Sequence, residues 1–205
     1  MLLSATPDYF GSPGPENTDR VINAVARRIS SGGIATVVIS STSGLSALKL
    51  ARALAAGSHS KGTKVVCVSE PPSYAEVVGR WPTMDPGRAA ELALLGVRIV
   101  NDQPYVFHNS ILGEGVGQTT PEGLLRSFLE KCFGSGMKVA VECILMATSA
   151  GAVPPFEVVI GVGGTHSGVD TAIVARSTYA NRMLADEPGK CLTIMEILAM
   201  PQKKV

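Results

Sequence analysis

The sequence predicts an α/β fold with a mainly parallel sheet and an antiparallel edge. Short runs of β-branched residues alternate with segments of helical periodicity four times before residue 145, which is the pattern of parallel βαβ units. Beyond Pro154–Pro155 the predicted strands follow one another without long helices, which is typical of antiparallel pairing. The 205 residues are expected to form a single domain, 1–205.

Caps, periodicity and β-branched runs predict four elements in the first third of the chain. They are a helix from Asn17–Thr18 to Gly32–Gly33, a strand over Thr36–Ile39, a helix from Ser43 to Gly57 and a strand over Lys64–Val68. The second helix is expected to turn Leu45, Leu48, Ala51 and Leu54 inward, because these residues share one face.

The middle of the chain begins with an irregular segment, Glu70–Met84, which is a packed surface loop or a contact surface. A helix then begins at Asp85–Pro86, an acidic cap followed by proline, and a strand covers Val97–Val100. Another helix follows Thr120–Pro121. Its periodicity predicts a buried face made of Leu124, Leu125, Phe128 and Cys132.

The last third mixes strands with short helices. Lys138–Glu142 is predicted as a strand and Ile144–Ala150 as a helix. The remaining elements are strands at Val158–Ile160, Thr171–Arg176 and Leu192–Leu198, and a short helix around Tyr179–Leu184.

Composition excludes several classes of function. Eighteen basic residues nearly balance seventeen acidic ones and aromatic residues make up 5% of the chain, so no nucleic-acid partner is expected. No apolar run approaches the roughly 18 residues of a membrane span and no secretory signal is visible, which predicts a cytoplasmic protein without a membrane partner. The cysteines and histidines lack metal-binding spacing, so no metal is expected.

A run of hydroxyl side chains between a strand and a helix is the strongest candidate binding site. Ser41, Thr42, Ser43 and Gly44 follow the buried strand that ends near Ser40, and they lead into the second helix. Backbone N–H groups at a helix start, together with hydroxyl donors, suit an oxyanion such as a phosphate. The alternative is ordinary helix capping by serine and threonine.

Two further segments are candidates for completing such a pocket. Asn17 and Thr18 lie at the end of the first strand and would face the hydroxyl run if the two strands were neighbours, although capping alone is the simpler role of Thr18. The segment from Gly161 to Gly168 follows another strand and leads into Thr171, so Gly163, Gly164, Thr165 and Thr171 are candidate ligand contacts. The alternative is a plain hairpin connection.

The candidate catalytic residues are Glu142, His166 and Asp170. Glu142 interrupts an apolar run, and a carboxylate there needs a partner or a polar cavity. It is either a functional acid or a structural carboxylate held by a backbone cap or by an arginine such as Arg176. His166 and Asp170 would assist as acid or base. Cys143 lacks an assignable base and is interpreted as a core residue.

The order of four motifs resembles a known family. They are Pro-Gly-x-Glu-Asn-Thr at 13–18, Ser-Ser-Thr-Ser-Gly at 40–44, Lys-Val-x-Val-Glu at 138–142 and Gly-Gly-x-x-x-Gly-x-Asp-Thr-Ala at 163–172. Together they resemble standalone, mostly prokaryotic proteins similar to the C-terminal α/β domain of pyruvate kinase. The resemblance implies a three-layer α/β/α domain without the catalytic barrel, and therefore no pyruvate kinase activity.

The same resemblance implies a ligand. In pyruvate kinase the related domain holds the phosphates of a sugar bisphosphate effector with a turn that Ser41–Gly44 resembles, but this turn contains no basic residue. Association with flavin mononucleotide (FMN) is a further implication of the family. The leading hypothesis is therefore a protein that binds a phosphorylated small molecule, either FMN or a sugar phosphate.

Two alternatives to simple binding stay open. One is an enzyme that acts on such a ligand, with Glu142 as acid or base. The other is a homo-oligomeric assembly module that uses the Tyr74–Trp81 segment and the apolar Leu192–Met200 strand as subunit contacts.

Overall fold

A computed structural model describes residues 6–57, 62–108 and 120–204. Within these ranges the chain forms one seven-stranded sheet. The strands are β1 (Asp8–Phe10), β2 (Thr36–Ser40), β3 (Lys64–Val68), β4 (Arg98–Val100), β5 (Val158–Gly163), β6 (Thr171–Arg176) and β7 (Thr193–Pro201). Their order across the sheet is β1-β7-β6-β5-β2-β3-β4. The β5–β6 and β6–β7 pairs are antiparallel and the others are parallel. A mostly parallel α/β fold with some antiparallel pairs is therefore confirmed. The expected antiparallel edge is wrong, because β6 lies inside the sheet and the two edge strands, β1 and β4, pair in parallel with their neighbours.

Helices cover both faces of this sheet. They are α1 (Thr18–Ser30), α2 (Leu45–Ala56), α3 (Ala75–Val78), α4 (Pro86–Leu94), α5 (Pro121–Phe133) and α6 (Ser135–Ser149). Apolar residues of α1, α2 and α4 pack with Val37 and Ile39 on one face of β2. Residues of α5 and α6 pack with Val38, which points to the other face because side chains alternate along a strand. No helix among the described residues is long and apolar enough to cross a membrane.

Two of the predicted helix starts, those of α4 and α5, carry side-chain caps. The Asp85 side chain accepts a hydrogen bond from the Arg88 N–H, and Pro86 occupies the first turn of α4. Thr120 caps α5 in the same way, through the N–H of Gly123. The short helix expected near Tyr179–Leu184 is a single 3-10 turn, Ala180–Arg182.

The strand predicted at Lys138–Glu142 is wrong, because these residues belong to α6. This helix is buried on nearly its whole circumference, so it lacks the polar stripe that marks an amphipathic helix. A fully apolar run of this kind cannot be distinguished from a buried strand by periodicity alone. The helix predicted at Ile144–Ala150 is confirmed as the second half of α6.

The predicted inward faces of α5 and α2 are wrong at several positions. In α5, Leu124 and Phe128 are 60% and 55% exposed and Cys132 is exposed, whereas Leu129 is buried. The reason is that α5 packs on α6 rather than on the sheet, so α6 buries only a narrow stripe of the α5 surface. Leu45, in the first turn of α2, is also half exposed.

Three glycines let α6 lie unusually close to the sheet. A Cβ atom on Gly163 would lie 2.3 Å from the carbonyl oxygen of Gly136 and 2.6 Å from the nitrogen of Ala140. On Gly136 it would lie 2.2 Å from a carboxylate oxygen of Asp170. On Gly161 it would lie 2.6 Å from the Ile144 side chain. This close contact sets the height of α6 above β5.

Candidate functional site

A cavity of about 850 Å³ opens at the carboxyl ends of β2 and β3, on the side of the sheet that carries α6. Ligands of open α/β sheets gather at this end of the strands. Its lining comes from seven parts of the chain: Ser40–Thr42 at the end of β2, Val68–Glu70 at the end of β3, the 73–77 segment, Tyr105 and His108, Arg126 of α5, five residues of α6 (Lys138, Val139, Glu142, Cys143 and Met146), and His166.

Glu142 is a buried carboxylate of the cavity that has several hydrogen-bond and ion-pair partners. It is 4% exposed, and its Oε1 accepts hydrogen bonds from the backbone N–H groups of Val106 and Phe107 at 3.0 and 2.9 Å. Oε2 lies 3.3 Å from the ammonium of Lys138, one helical turn earlier. Glu142 thus ties the segment before His108 to α6.

The contacts of Glu142 determine its charge. Burial acts to raise its pKa, but the hydrogen bond with His108, the Lys138 ammonium and the Phe107 N–H outweigh burial and lower the pKa to about 2. The carboxylate is therefore ionised at neutral pH. Of the two roles left open for Glu142, this geometry favours a structural carboxylate, although its partners are Lys138 and His108 rather than Arg176.

The hydroxyl run after β2 divides between two surroundings. Ser41 and Thr42 line the cavity, whereas Ser43 and Gly44 do not. The Ser41 hydroxyl accepts a hydrogen bond from the N–H of Ala47 at 3.4 Å, so it also caps α2.

The other half of the run turns toward α4. Gly44 has a left-handed φ of 85° and packs against Met84 and Arg88, and the Arg88 guanidinium donates to the Ser43 carbonyl at 3.1 Å. The start of α2 is therefore partly filled by the protein's own groups. Arg88 brings a basic side chain to the run, but Arg88 does not line the cavity.

Glu70 links three segments at the rim of the cavity. Its carboxylate accepts hydrogen bonds from the hydroxyls of Thr42, at 2.6 Å, and Tyr105. Its carbonyl accepts a hydrogen bond from the indole of Trp81 at 3.0 Å. Burial and the bond to Glu70 raise the pKa of Tyr105 well above its usual value, so this phenol remains a donor.

Asn17 and Thr18 do not reach the cavity. β1 lies at the far edge of the sheet, with β7, β6 and β5 between it and β2, so the two strand ends expected to face each other are not neighbours. The Asn17 side chain donates to the carbonyl of Ser12 at 2.9 Å. The Thr18 hydroxyl accepts from the N–H of Val169 at 3.1 Å, which joins α1 to the connection between β5 and β6.

The glycine-rich connection is the loop of an antiparallel hairpin, and most of its polar groups bond to one another. Asp170 is 1% exposed and accepts hydrogen bonds from the Thr165 N–H and the Thr171 hydroxyl. Gly163 packs against α6, and Gly164 packs against the Gly168 carbonyl. None of these residues lines the cavity, whereas Glu142 does. His166, at the tip of this loop with φ 61°, does line it.

The two cysteines nearest the site are neutral thiols. Burial raises the pKa of Cys67 to about 12 and that of Cys143 well above its usual value. This agrees with the interpretation of Cys143 as a packing residue. In the described ranges no three or more His, Cys, Asp or Glu side chains form a group that could hold a metal ion.

A scan against models of known protein families finds no match for this chain.

Several residues that line the cavity were not among the candidate site residues predicted from the sequence. Lys138 lies four residues before Glu142, and this spacing would have identified the ion pair had the segment been predicted as a helix. Glu70, Tyr105 and His108 carry no local signal, because only the tertiary fold brings their segments to one place.

Proposed function

We propose that this protein binds a phosphorylated small molecule, FMN or a sugar phosphate, in the cavity at the carboxyl ends of β2 and β3. The observation that carries the proposal is the cavity itself. Its volume of about 850 Å³ falls within the roughly 300–1,000 Å³ typical of small-molecule sites. It also brings Ser41, Thr42 and His166, three of the residues predicted from sequence, to one surface.

The lining suits a ligand with one anionic end and one apolar part. The Ser41 hydroxyl, whose oxygen accepts a hydrogen bond from Ala47, can donate its proton to a ligand, and the ammonium of Lys138 adds positive charge. The Thr42 hydroxyl lines the same surface but already donates to Glu70. Val68 and Met146 provide apolar surface for a ring.

We place the protein in the cytosol. We assign its fold to the three-layer type of the pyruvate kinase C-terminal domain, and the sequence motifs support that assignment.

Binding explains the cavity better than the two alternatives. An enzyme that used Glu142 for proton transfer would need a pKa near the working pH, whereas that of Glu142 is about 2. An assembly module finds some support in the exposed side chains of Val77 and Trp81. The N-terminal part of its second contact, β7, retains exposed Ile194 and Met195, while its other end pairs with β1. Self-association therefore remains a prediction.

Calorimetry with matched ligand pairs tests the proposal. We expect FMN to bind and riboflavin to bind more weakly, or glucose 6-phosphate to bind and glucose not, because the phosphate supplies the charged contacts. Mass spectrometry of the supernatant after denaturation shows whether a ligand co-purifies. Absence of any phosphorylated compound by both methods would overturn the proposal.

A variant that fills the cavity provides the structural control. Ser73 is exposed and lines the rim, so Ser73→Trp is expected to block the cavity without disturbing the core. Ser30→Trp, at an exposed position on α1, is the matched control. Equal ligand affinity in Ser73→Trp and Ser30→Trp would place the binding site elsewhere.

A further inference from the structure

Glu70 lies at the rim of the cavity, and hydrogen bonds hold both of its carboxylate oxygens in place. Oε1 accepts a bond from the Thr42 hydroxyl at 2.6 Å, and Oε2 accepts one from the Tyr105 hydroxyl. The indole of Trp81 donates to the backbone carbonyl of the same residue at 3.0 Å. These bonds fix the position and the orientation of a carboxylate that lines the cavity.

The Glu70 carboxylate retains capacity for further hydrogen bonds. A carboxylate has about four acceptor positions, two on each oxygen. The bonds to Thr42 and Tyr105 use one position on each oxygen, so about half of the capacity is left. The remaining positions lie on neighbouring oxygens of one rigid group, which suits two donors side by side, such as adjacent hydroxyl groups of a sugar. In Rossmann-fold proteins an acidic side chain likewise accepts from a ribose hydroxyl.

The hydroxyl groups around Glu70 also act as acceptors toward a ligand. Thr42 and Tyr105 donate their hydroxyl protons to Glu70, and Ser69 donates to the carbonyl of Thr42 at 3.3 Å. The three oxygens retain lone pairs, but their protons are already used within the protein. A ligand group that bonds to these side chains is therefore a hydrogen-bond donor.

The acidic and basic side chains at this end of the cavity belong to different elements. Glu70 and Glu76 lie in the segment that follows β3, and this segment contains no basic residue before Arg80. The basic lining side chains Arg126 and Lys138 lie on α5 and α6. Like-charge repulsion disfavours a phosphate beside the two carboxylates. It leaves the surroundings of Glu70 to an uncharged part of the ligand that carries hydrogen-bond donors.

We propose that Glu70 binds two adjacent hydroxyl groups of the ligand, such as those of a sugar or of the ribityl chain of FMN. This inference rests on the proposed function for the phosphorylated ligand, and it adds the residue that selects the hydroxylated part. A ligand without these hydroxyls would leave the acceptors around Glu70 unpaired, so it is expected to bind more weakly.

Matched ligands that differ only in hydroxyl groups test the role of Glu70. One pair is ribose 5-phosphate and 2-deoxyribose 5-phosphate, and the other is FMN and an analogue in which hydrogens replace the ribityl hydroxyls. For the pair that binds, calorimetry of the wild type is expected to give a dissociation constant at least about tenfold higher for the deoxy member. Equal constants for the two members would overturn the proposal, and this measurement needs no variant.

Glu70→Ala is expected to bind both members of the pair with equal affinity. Loss of a negative charge or a disturbed rim would change both affinities alike, so only their ratio reports the hydroxyl contact. Glu187→Ala removes an exposed carboxylate that does not line the cavity, and it is expected to keep the wild-type ratio. A wild-type ratio in Glu70→Ala would show that another group contacts the hydroxyls, and the proposal would be wrong.

Failure of the proposed function gives a different result. If no phosphorylated compound binds, riboflavin and lumiflavin decide on Glu70, because neither has a phosphate and lumiflavin has a methyl group in place of the ribityl chain. Riboflavin binding that Glu70→Ala abolishes, without binding of lumiflavin, would support the hydroxyl contact. Binding of neither compound, or of both equally, would contradict it.

Discussion

Glu142 shows how a single residue acquires a role from its surroundings. The sequence presented it as an isolated acid in an apolar run. In the folded protein one of its oxygens accepts two backbone N–H groups and lies near His108, and the other faces Lys138. A buried carboxylate with this many partners holds two segments together and stays charged.

Removing the charge of Glu142 is expected to destabilise the fold. In Glu142→Gln the amide still accepts from Val106 and Phe107, but Lys138 loses its buried counter-ion. Breaking a buried ion pair on one side costs about 3–5 kcal/mol. The free energy of unfolding, measured in urea, checks this. Glu130→Gln, at a more exposed partner of Lys138, is the matched control and should cost much less. Equal costs would contradict the assignment.

The pH dependence of the stability difference between the wild type and Glu142→Gln gives a second readout. The pKa of Glu142 falls from an ordinary value of 4.5 to about 2 in the folded protein. A lowered pKa means that the carboxylate stabilises the folded state fully above its unfolded pKa and progressively less as pH falls. The difference in stability between the wild type and Glu142→Gln should therefore shrink from about pH 4.5 to about pH 2. A difference that stays constant over this range would contradict the ion-pair explanation.

At the scale of elements, the contact between α6 and β5 positions the cavity. Lys138, Glu142 and Cys143 face the cavity from one side of α6, and the distance between this helix and the sheet is set by Gly136, Gly161 and Gly163. Gly163 is a candidate ligand contact in the sequence analysis because it belongs to a glycine-rich connection between two strands. The structure instead shows a glycine that permits backbone atoms of helix and strand to meet.

Gly163→Ala is expected to force α6 away from β5. The added methyl would meet backbone atoms of Gly136 and Ala140, which cannot move independently of the helix. Overpacking of this kind typically costs about 1–3 kcal/mol. Chemical denaturation checks the prediction. Gly11→Ala, where a methyl would meet nothing within 4 Å, is the control. If both variants were as stable as the wild type, the glycine contact would not set the helix position.

At the scale of the whole molecule, two apolar cores share one sheet. One core lies under α1, α2 and α4 and the other under α6, and neighbouring residues of β2 contribute to each. Both cores pack on the same strands, so loss of one core would also disrupt the strands that support the other. We therefore expect the described parts of the chain to unfold together.

A single cooperative transition is the measurable consequence. Trp81 is the sole tryptophan and reports on the rim of the cavity, where its indole bonds to Glu70. Far-UV circular dichroism reports on the helices of both faces. The urea midpoints of fluorescence and circular dichroism are expected to coincide. An earlier fluorescence midpoint would show that the rim unfolds separately from the two cores.

The sequence by itself determined the class of the fold and the positions of most of its elements. Alternating periodicity, caps and glycine stops are local signals, and they located α1, α2, α4 and most of the strands. It also identified Ser41, Thr42, Glu142 and His166, which the cavity brings to one surface. Local signals failed at α6, because a helix buried on all sides has no polar stripe to reveal its period.

Only the tertiary structure decided which of the candidate residues meet. Strand order is a long-range property, and it placed β1 at the far edge of the sheet, which removed Asn17 and Thr18 from the site. The same long-range packing brought His108 against Glu142, although 34 residues of sequence separate them. The charge and partners of each polar group in the cavity depend on contacts between distant segments, and no local pattern in the chain encodes those contacts.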